Sequence, residues 1–284
     1  MKKRIFWGLV AASFVAVLQG CSSSGSNSMA GASAKPVAGG AAATKDIEKY
    51  RQMLADGNPS DLYEAEGEDL WKKPMGPKNA SLQKCDLGMG PGVVKGAYTQ
   101  LPKYFKDTNK VQDLESRLVT CMSKIQGYDE KEIIKAGFSK GKRKDIEAIV
   151  AYVVAESKGM PINVVAKHPK EKLAFEQGKK SFFYQGGPMD FSCATCHASN
   201  GKRIRLQDLP NLTAEKGAAA GWGYWPAYRV SSGTFWTMQR RLNDCYRQQR
   251  FPEPIYTSED TIAVSMYMAV TAKGGIMQAP GLKR

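Results

Sequence analysis

Apolar residues recur at helical spacing in several stretches of this chain, with polar loops between them. Val111, Leu114, Leu118, Cys121, Met122 and Ile125 form one series, with Gly127 as its stop. Ile146, Ile149, Val150, Val153 and Val154 form another, with Asp145 near its start and Gly159 at its end. Pro169 to Tyr184 reads as a helix, and Phe235, Met238, Leu242, Cys245 and Tyr246 fall on one face of the next. Thr257-Ser258-Glu259-Asp260 offers an N-cap for a last helix, Ile262 to Ala272, ending at Gly274-Gly275. Asp46 to Ala55 is helix-like and stops at Gly57-Asn58-Pro59. Residues 60–110 are rich in Gly and Pro, and residues 198–232 read as loop. Strand-like alternation is scarce, so the pattern predicts a mostly α protein with long loops.

The N-terminus has a different pattern. Lys2, Lys3 and Arg4 precede an apolar run from Ile5 to Val17, which is too short to span a bilayer. Leu18-Gln19-Gly20-Cys21 follows and resembles the lipobox of bacterial lipoproteins. That resemblance implies a signal peptide over 1–20, cleavage before Cys21 and a lipid anchor on that residue; an ordinary signal peptide with a stray Cys is the other reading. Both predict export, and the lipid predicts a periplasmic protein attached to the membrane. Residues 21–45, mostly Ser, Gly, Ala and Asn, read as a flexible tether. What remains is enough for about two domains, divided here as 46–160 and 161–284.

Charge narrows the partners. The chain carries 41 Lys and Arg against 27 Asp and Glu, a net +14. Loss of residues 1–20 removes three positive charges and leaves +11. No basic run is interleaved with aromatics, so nucleic acid is not the expected partner. An anionic small substrate or an acidic protein fits better.

The densest chemistry is Cys193-Ala194-Thr195-Cys196-His197. A Cys-x-x-Cys-His run attaches c-type haem: two thiols one helical turn apart bond its two vinyl groups, and the His reaches the iron. A zinc site would need further ligands, and the chain has two His in all. A redox Cys-x-x-Cys would not require the His. The expectation is one haem c per chain, held by Cys193 and Cys196 with His197 as axial ligand.

The second half echoes the first. Arg117-Leu118-Val119-Thr120-Cys121 matches Arg241-Leu242-Asn243-Asp244-Cys245, and Asp145 to Gly159 matches Asp260 to Gly274. Tyr152 pairs with Tyr267 and Lys158-Gly159 with Lys273-Gly274, each 115 residues apart. Cys85-Asp86-Leu87-Gly88-Met89 then occupies the place of the haem motif, without its second Cys or its His. The fold expected is a duplicated cytochrome c-like unit in which only the C-terminal copy bears haem.

Duplication also sorts the six cysteines. Lipid takes Cys21, and haem takes Cys193 and Cys196. In the empty copy the proximal Cys85 and distal Cys121 can close on each other, and an oxidising compartment favours their disulfide. Cys245 is left unpaired at the distal position of the haem-bearing copy, which makes it a candidate iron ligand. Arg241 lies one helical turn before it; an Arg lowers a thiol pKa and offers a planar fork to an oxyanion. Cys245 as an inert buried thiol, with Met238 or Met266 as ligand, stays open. So does His168, although it reads as a surface loop residue beside Pro169. Arg240, Arg247 and Arg250 read as a solvated face or a docking patch.

These residues, with Trp225-Pro226-Ala227-Tyr228-Arg229, resemble the SoxA family over roughly residues 60–275. The resemblance implies a subunit of a SoxAX complex. Such a subunit pairs with a SoxX-like cytochrome and joins thiosulfate oxidatively to a cysteine of the carrier SoxYZ, with electrons passing through haem. It implies that Cys245 is the active-site residue and an iron ligand, found as a persulfide, and that Arg241 binds substrate. Some members carry two haems; Gly88 and Met89 depart from them, and the lipobox is a second departure. A plain electron-transfer lipoprotein, with Cys245 as a passive ligand, is the competing expectation.

Overall fold

The computed structural model describes residues 57–204 and 207–283, with Lys49 as one further helical position. The expected signal peptide, the tether, Cys21 and, Lys49 apart, the Asp46–Ala55 helix lie outside the described residues. Those from Gly57 onward belong to one compact unit that runs from Ala38 to Arg284.

In the first half, α1 (Ser60–Lys72) leads through loops to a hairpin of β1 (Lys103–Phe105) and β2 (Lys110–Gln112). Then come α2 (Leu114–Cys121), a π turn over Met122–Gln126, α3 (Glu130–Lys135) and α4 (Gly141–Ala155). α1 falls in the stretch that reads as Gly/Pro-rich loop. Its buried stripe is Ser60, Gly67 and Trp71, with Tyr63 and Leu70 partly buried, so a glycine sits at its centre. That glycine is the contact point: a Cβ there would stand 2.0 Å from the Ala148 carbonyl oxygen of α4. The α4 stripe is buried as the periodicity predicts, and each of Ile146, Ile149, Val150, Val153 and Val154 contributes roughly 1.5–3 kcal/mol. The helix starts four residues before Asp145. Gly127, at φ 81°, stops the turn after α2, while Val111 belongs to β2 and not to the helix.

The second half has α5 (Pro169–Phe183), the short α6 (Cys193–His197), a hairpin of β3 (Arg203–Ile204) and β4 (Gln207–Asp208), and α7 (Glu215–Gly223). β5 (Ala227–Arg229), β6 (Thr234–Trp236), α8 (Met238–Gln248), α9 (Glu259–Thr271) and β7 (Gly281–Lys283) complete it. β5 pairs antiparallel with β6 and parallel with β7. α7 lies within the stretch that reads as loop. It packs through small residues: a Cβ on Gly217 would meet the Asn211 carbonyl oxygen at 2.1 Å, and one on Gly221 the Leu212 side chain at 2.3 Å. α5 crosses α9 as α1 crosses α4; a Cβ on Gly178 would stand 1.9 Å from the Ala263 carbonyl oxygen.

Equivalent features recur at constant offsets. β1 and β5, β2 and β6, the N-caps Asp113 and Thr237, and the starts of α2 and α8 are each 124 residues apart. So are Tyr98 and Trp222, whose rings stack on each other at 5.9 Å, and Pro102 and Pro226, both after a cis peptide bond. Further on the offset is 115 residues: Pro161 bridges directly to Ile276. Around that bridge the bonds are reciprocal. Gly159 N donates to Met277 O and Gly274 N to Ile162 O, both at 2.8 Å.

Candidate functional site

The haem motif is a five-residue helix with a built start. Ser192 Oγ accepts from Thr195 N at 3.1 Å, and Thr195 Oγ1 accepts from Ser192 N at 3.0 Å, a reciprocal capping box. That sets Cys193, Cys196 and His197 on one short element, and both thiols are free. His197 Nδ1 lies 2.8 Å from the Pro210 carbonyl oxygen. A carbonyl can only accept, so Nδ1 carries the proton and Nε2 keeps its lone pair for a metal.

α8 supplies the rest. Thr237 caps it, its side chain accepting from Arg240 N at 3.3 Å. Arg241 and Cys245 follow one turn apart on the same helix, and Cys245 is free and partly exposed. Gln249, one turn further, donates from Nε2 to Cys193 Sγ at 3.8 Å, which ties the end of α8 to the start of α6. Burial raises the Cys193 thiol to about 12, the neighbouring Cys245 adds to this, and the Gln249 bond opposes it. Burial also raises Cys245; Arg241 and Arg229 pull it down, while Asp244 and Cys196 push it up. His197 is lowered by burial, and Arg241 lowers it further against the Pro210 bond. Arg241 thus bears on the sulfur and the imidazole together. The structure brings Cys193, Cys196, His197, Arg241 and Cys245 into one site.

Several neighbours were not foreseen from the sequence. Asp244 is buried and accepts from Arg241 Nη1 at 2.9 Å, from Arg247 Nη2 at 2.5 Å and from Gln248 Nε2 at 2.7 Å. Its i+3 spacing from Arg241 was a readable signal; Pro210, thirteen residues beyond His197, carried none. The Arg241 guanidinium stands 5.6 Å from the Trp225 ring. The guanidinium groups of Arg229 and Arg240 stand 4.7 and 4.8 Å from the Trp236 ring.

The remaining candidates fall elsewhere. His168 caps α5, its Nδ1 accepting from Lys170 N, and its ring stacks on Tyr104 at 3.7 Å. Met266 is fully buried in the core. Met238 is also core, at the far end of α8, roughly 10 Å along the axis from Cys245. Arg240 is not on a solvated face: its Nη1 donates to Ser139 Oγ at 2.8 Å and approaches Glu147 at 3.6 Å. Arg247 is exposed but bonded to Asp244, and Arg250 is exposed.

In the first half the cysteines and the arginine at the matching positions are engaged. Cys85 and Cys121 form a disulfide with Cα atoms 5.7 Å apart, as expected. Arg117 Nε donates to Asp86 O at 2.6 Å, and its Nη1 to Asp107 at 2.9 Å. Met89, in the place of the motif His, is exposed. Among the described residues no group of three or more His, Cys, Asp or Glu is arranged to hold a metal ion. The donor set at α6 and α8 fits haem c: two free thiols one turn apart, an imidazole already oriented through Nδ1, and a third free sulfur from a second helix.

Comparison with known proteins bears on this geometry. A family model described as the SoxA/TsdA cytochrome c domain matches residues 66–162. The L-cysteine S-thiosulfotransferase subunit SoxA of Hydrogenophilus thermoluteolus is 61% identical over 244 residues, covering 86% of this chain and 89% of its own. The chain belongs to the SoxA family. A SoxA subunit of Hydrogenobacter thermophilus is 36% identical over 244 residues, 84% of this chain and 89% of that one. The SoxXA crystal structure from P. pantotrophus superposes with a TM-score of 0.68 at 23% identity, covering 83% of this chain and 84% of that one, and shows the same fold. Within this SoxA chain the cytochrome c model falls on the half that lacks the Cys-x-x-Cys-His run.

Proposed function

We propose that this SoxA-family chain is the L-cysteine S-thiosulfotransferase subunit that joins thiosulfate to a cysteine of the carrier SoxYZ, and that Cys245 is the sulfur through which it does so. The observation that carries the residue assignment is the shared site: Cys245 is free, and Arg241, His197 and both motif thiols lie around it. Haem c would be held by Cys193, Cys196, His197 and Cys245 and would supply the redox centre that such an oxidation requires. Arg241, its Nη1 held by Asp244, offers its fork to the sulfonate oxygens of thiosulfate. The outer sulfur of thiosulfate bonds to the Cys245 thiolate, and the two electrons released pass one at a time to an oxidised acceptor cytochrome. The carrier thiolate then attacks that sulfur. Its bond to Cys245 breaks, the carrier keeps the S-thiosulfonate group, and the Cys245 thiolate is regenerated. Atoms and charge balance, and the carrier thiol releases one proton.

The chain is read as a duplicated cytochrome c with one haem. The constant offsets and the reciprocal bonds about Pro161 and Ile276 support an internal pseudo-two-fold. The disulfide supports a first half without haem, because it closes the space a porphyrin would need. A SoxX-like cytochrome is the proposed partner, in keeping with the fold shared with the SoxXA structure. Export to the periplasm and a lipid anchor at Cys21 complete the reading; each buried acyl CH₂ would contribute roughly 0.8 kcal/mol to attachment.

A Cys245→Ala variant tests the assignment. Conjugation of thiosulfate to the carrier is expected to stop while haem stays covalently attached through Cys193 and Cys196. Turnover that persists in this variant would make Cys245 a passive ligand and leave plain electron transfer as the better account.

A further inference from the structure

The helix that carries Arg241 and Cys245 is gripped at its start by the other half of the molecule. Gln239 N, one of the first N–H groups of α8 and without an intrahelical partner, donates to Glu115 Oε1 at 2.9 Å. The Gln239 side chain donates from Nε2 to Asp113 Oδ2 at 2.6 Å. Tyr256 OH closes the group by donating to Glu115 Oε2 at 2.8 Å. The next residue, Arg240, reaches Ser139 Oγ at 2.8 Å and Glu147 at 3.6 Å, with its guanidinium 5.6 Å from the Phe138 ring. Glu115, Glu147 and Gln239 are buried. These first-half partners of Gln239 and Arg240 thus hold the two residues directly before Arg241.

The same carboxylate group also fixes the equivalent helix of the first half. Asp113 caps α2 by accepting from Ser116 N at 2.8 Å through Oδ1, which leaves Oδ2 for Gln239. Glu115 and Gln239 are themselves at equivalent positions, 124 residues apart, so the two helices meet N-terminus to N-terminus on the pseudo-axis. Acceptor oxygens at that place suit the positive ends of both helix dipoles.

We propose that the first half serves the reaction as the mount of α8: Asp113, Glu115 and Glu147 hold Gln239 and Arg240, and so fix Arg241 and Cys245 in register with His197. This rests on the reading of Cys245 as the reacting sulfur and iron ligand. Glu115 and Arg240 are positioning residues and touch no substrate. The mount gives the half without a haem motif a role in the chemistry, since an ångström of drift in α8 would misalign sulfur, guanidinium and iron together.

The test uses the full-length, haem-loaded protein and three variants: Glu115→Leu, Glu115→Gln and Arg240→Met. The readouts are the axial-ligand signature of the oxidised haem and the KM and kcat for thiosulfate. Glu115→Leu and Arg240→Met are expected to keep covalent haem but to lose or split the thiolate signature, with kcat/KM down about 100-fold. Glu115→Gln, which keeps an acceptor for Gln239 N, is expected to restore both. Folded Glu115→Leu and Arg240→Met proteins with the wild-type signature and kinetics would overturn the mount; Arg240→Met decides alone if Glu115→Leu does not fold. A wild-type protein without a thiolate signature would instead overturn the reading of Cys245, and the mount with it.

Discussion

Arg241 is the residue on which the proposed recognition of thiosulfate turns. It is held by Asp244 at 2.9 Å and faces Trp225, so its orientation is set before any anion arrives. Loss of a charge-assisted hydrogen bond costs about 1.5–3 kcal/mol, so Arg241→Ala should raise the KM for thiosulfate roughly 10- to 100-fold while haem content stays the same. Steady-state kinetics beside a haem assay checks both halves of that expectation. Glu115 makes a second prediction. Burial moves its carboxyl from the usual 4.5 to about 8, and Asp113 adds to the rise against bonds from Gln239, Tyr256 and Thr237. A group raised in the folded state contributes stability that is full below its unfolded pKa and lost as pH rises through its folded one. Wild-type stability should therefore fall by on the order of a few kcal/mol between about pH 5 and pH 9 relative to Glu115→Gln, read by urea unfolding at both pH values. Arg241, Cys245 and the haem motif were legible because their relations are local: i to i+4 on one helix, or five consecutive residues. Glu115 and Pro210 were not, because their meaning lies in contacts that no spacing announces.

At the scale of elements, the two strongest helix pairs meet at glycines. Gly67 and Gly178 let α1 reach α4 and α5 reach α9, with backbone carbonyls where a Cβ would go. Gly178→Ala should destabilise the protein by about 1–3 kcal/mol or more, since two backbones must part. It should also lower haem incorporation, because α5 leads into α6 and packs beside it. A thermal melt and the haem-to-protein ratio read these two effects. The same feature explains which helices escaped the periodic pattern. α4, α8 and α9 show themselves through Ile, Val, Leu and Met at helical spacing. α1 and α7 pack through Gly and Ala, where a close approach leaves no apolar bulk to count. Strands of two or three residues are too short to alternate. The proposed repeat was marked in the letters at Arg117 and Arg241 and at Cys121 and Cys245. Its extension through Pro102-Lys103-Tyr104 and Pro226-Ala227-Tyr228 was equally present in the letters, but the strands that give those letters meaning became visible only in the fold.

At the scale of the whole molecule, the two halves divide the work. The first closes its centre with a disulfide that joins residues 36 apart, which contributes about 4 kcal/mol in the chain-entropy model, and presents carboxylates to the second. From residue 161 onward, 17 Lys and Arg against 9 Asp and Glu give +8, so most of the chain's +14 lies on the half that bears the haem motif. That distribution suits an anionic substrate and an acidic carrier surface. One sulfur, that of Cys245, carries the proposed conjugation. The intact mass of the haem-loaded protein, taken after incubation with thiosulfate and an oxidised electron acceptor but without carrier, tests it most directly. The expected result is a mass gain that a thiol reductant removes and that Cys245→Ala does not show. A wild-type preparation that gains no mass, yet conjugates thiosulfate once carrier is supplied, would contradict the role of Cys245.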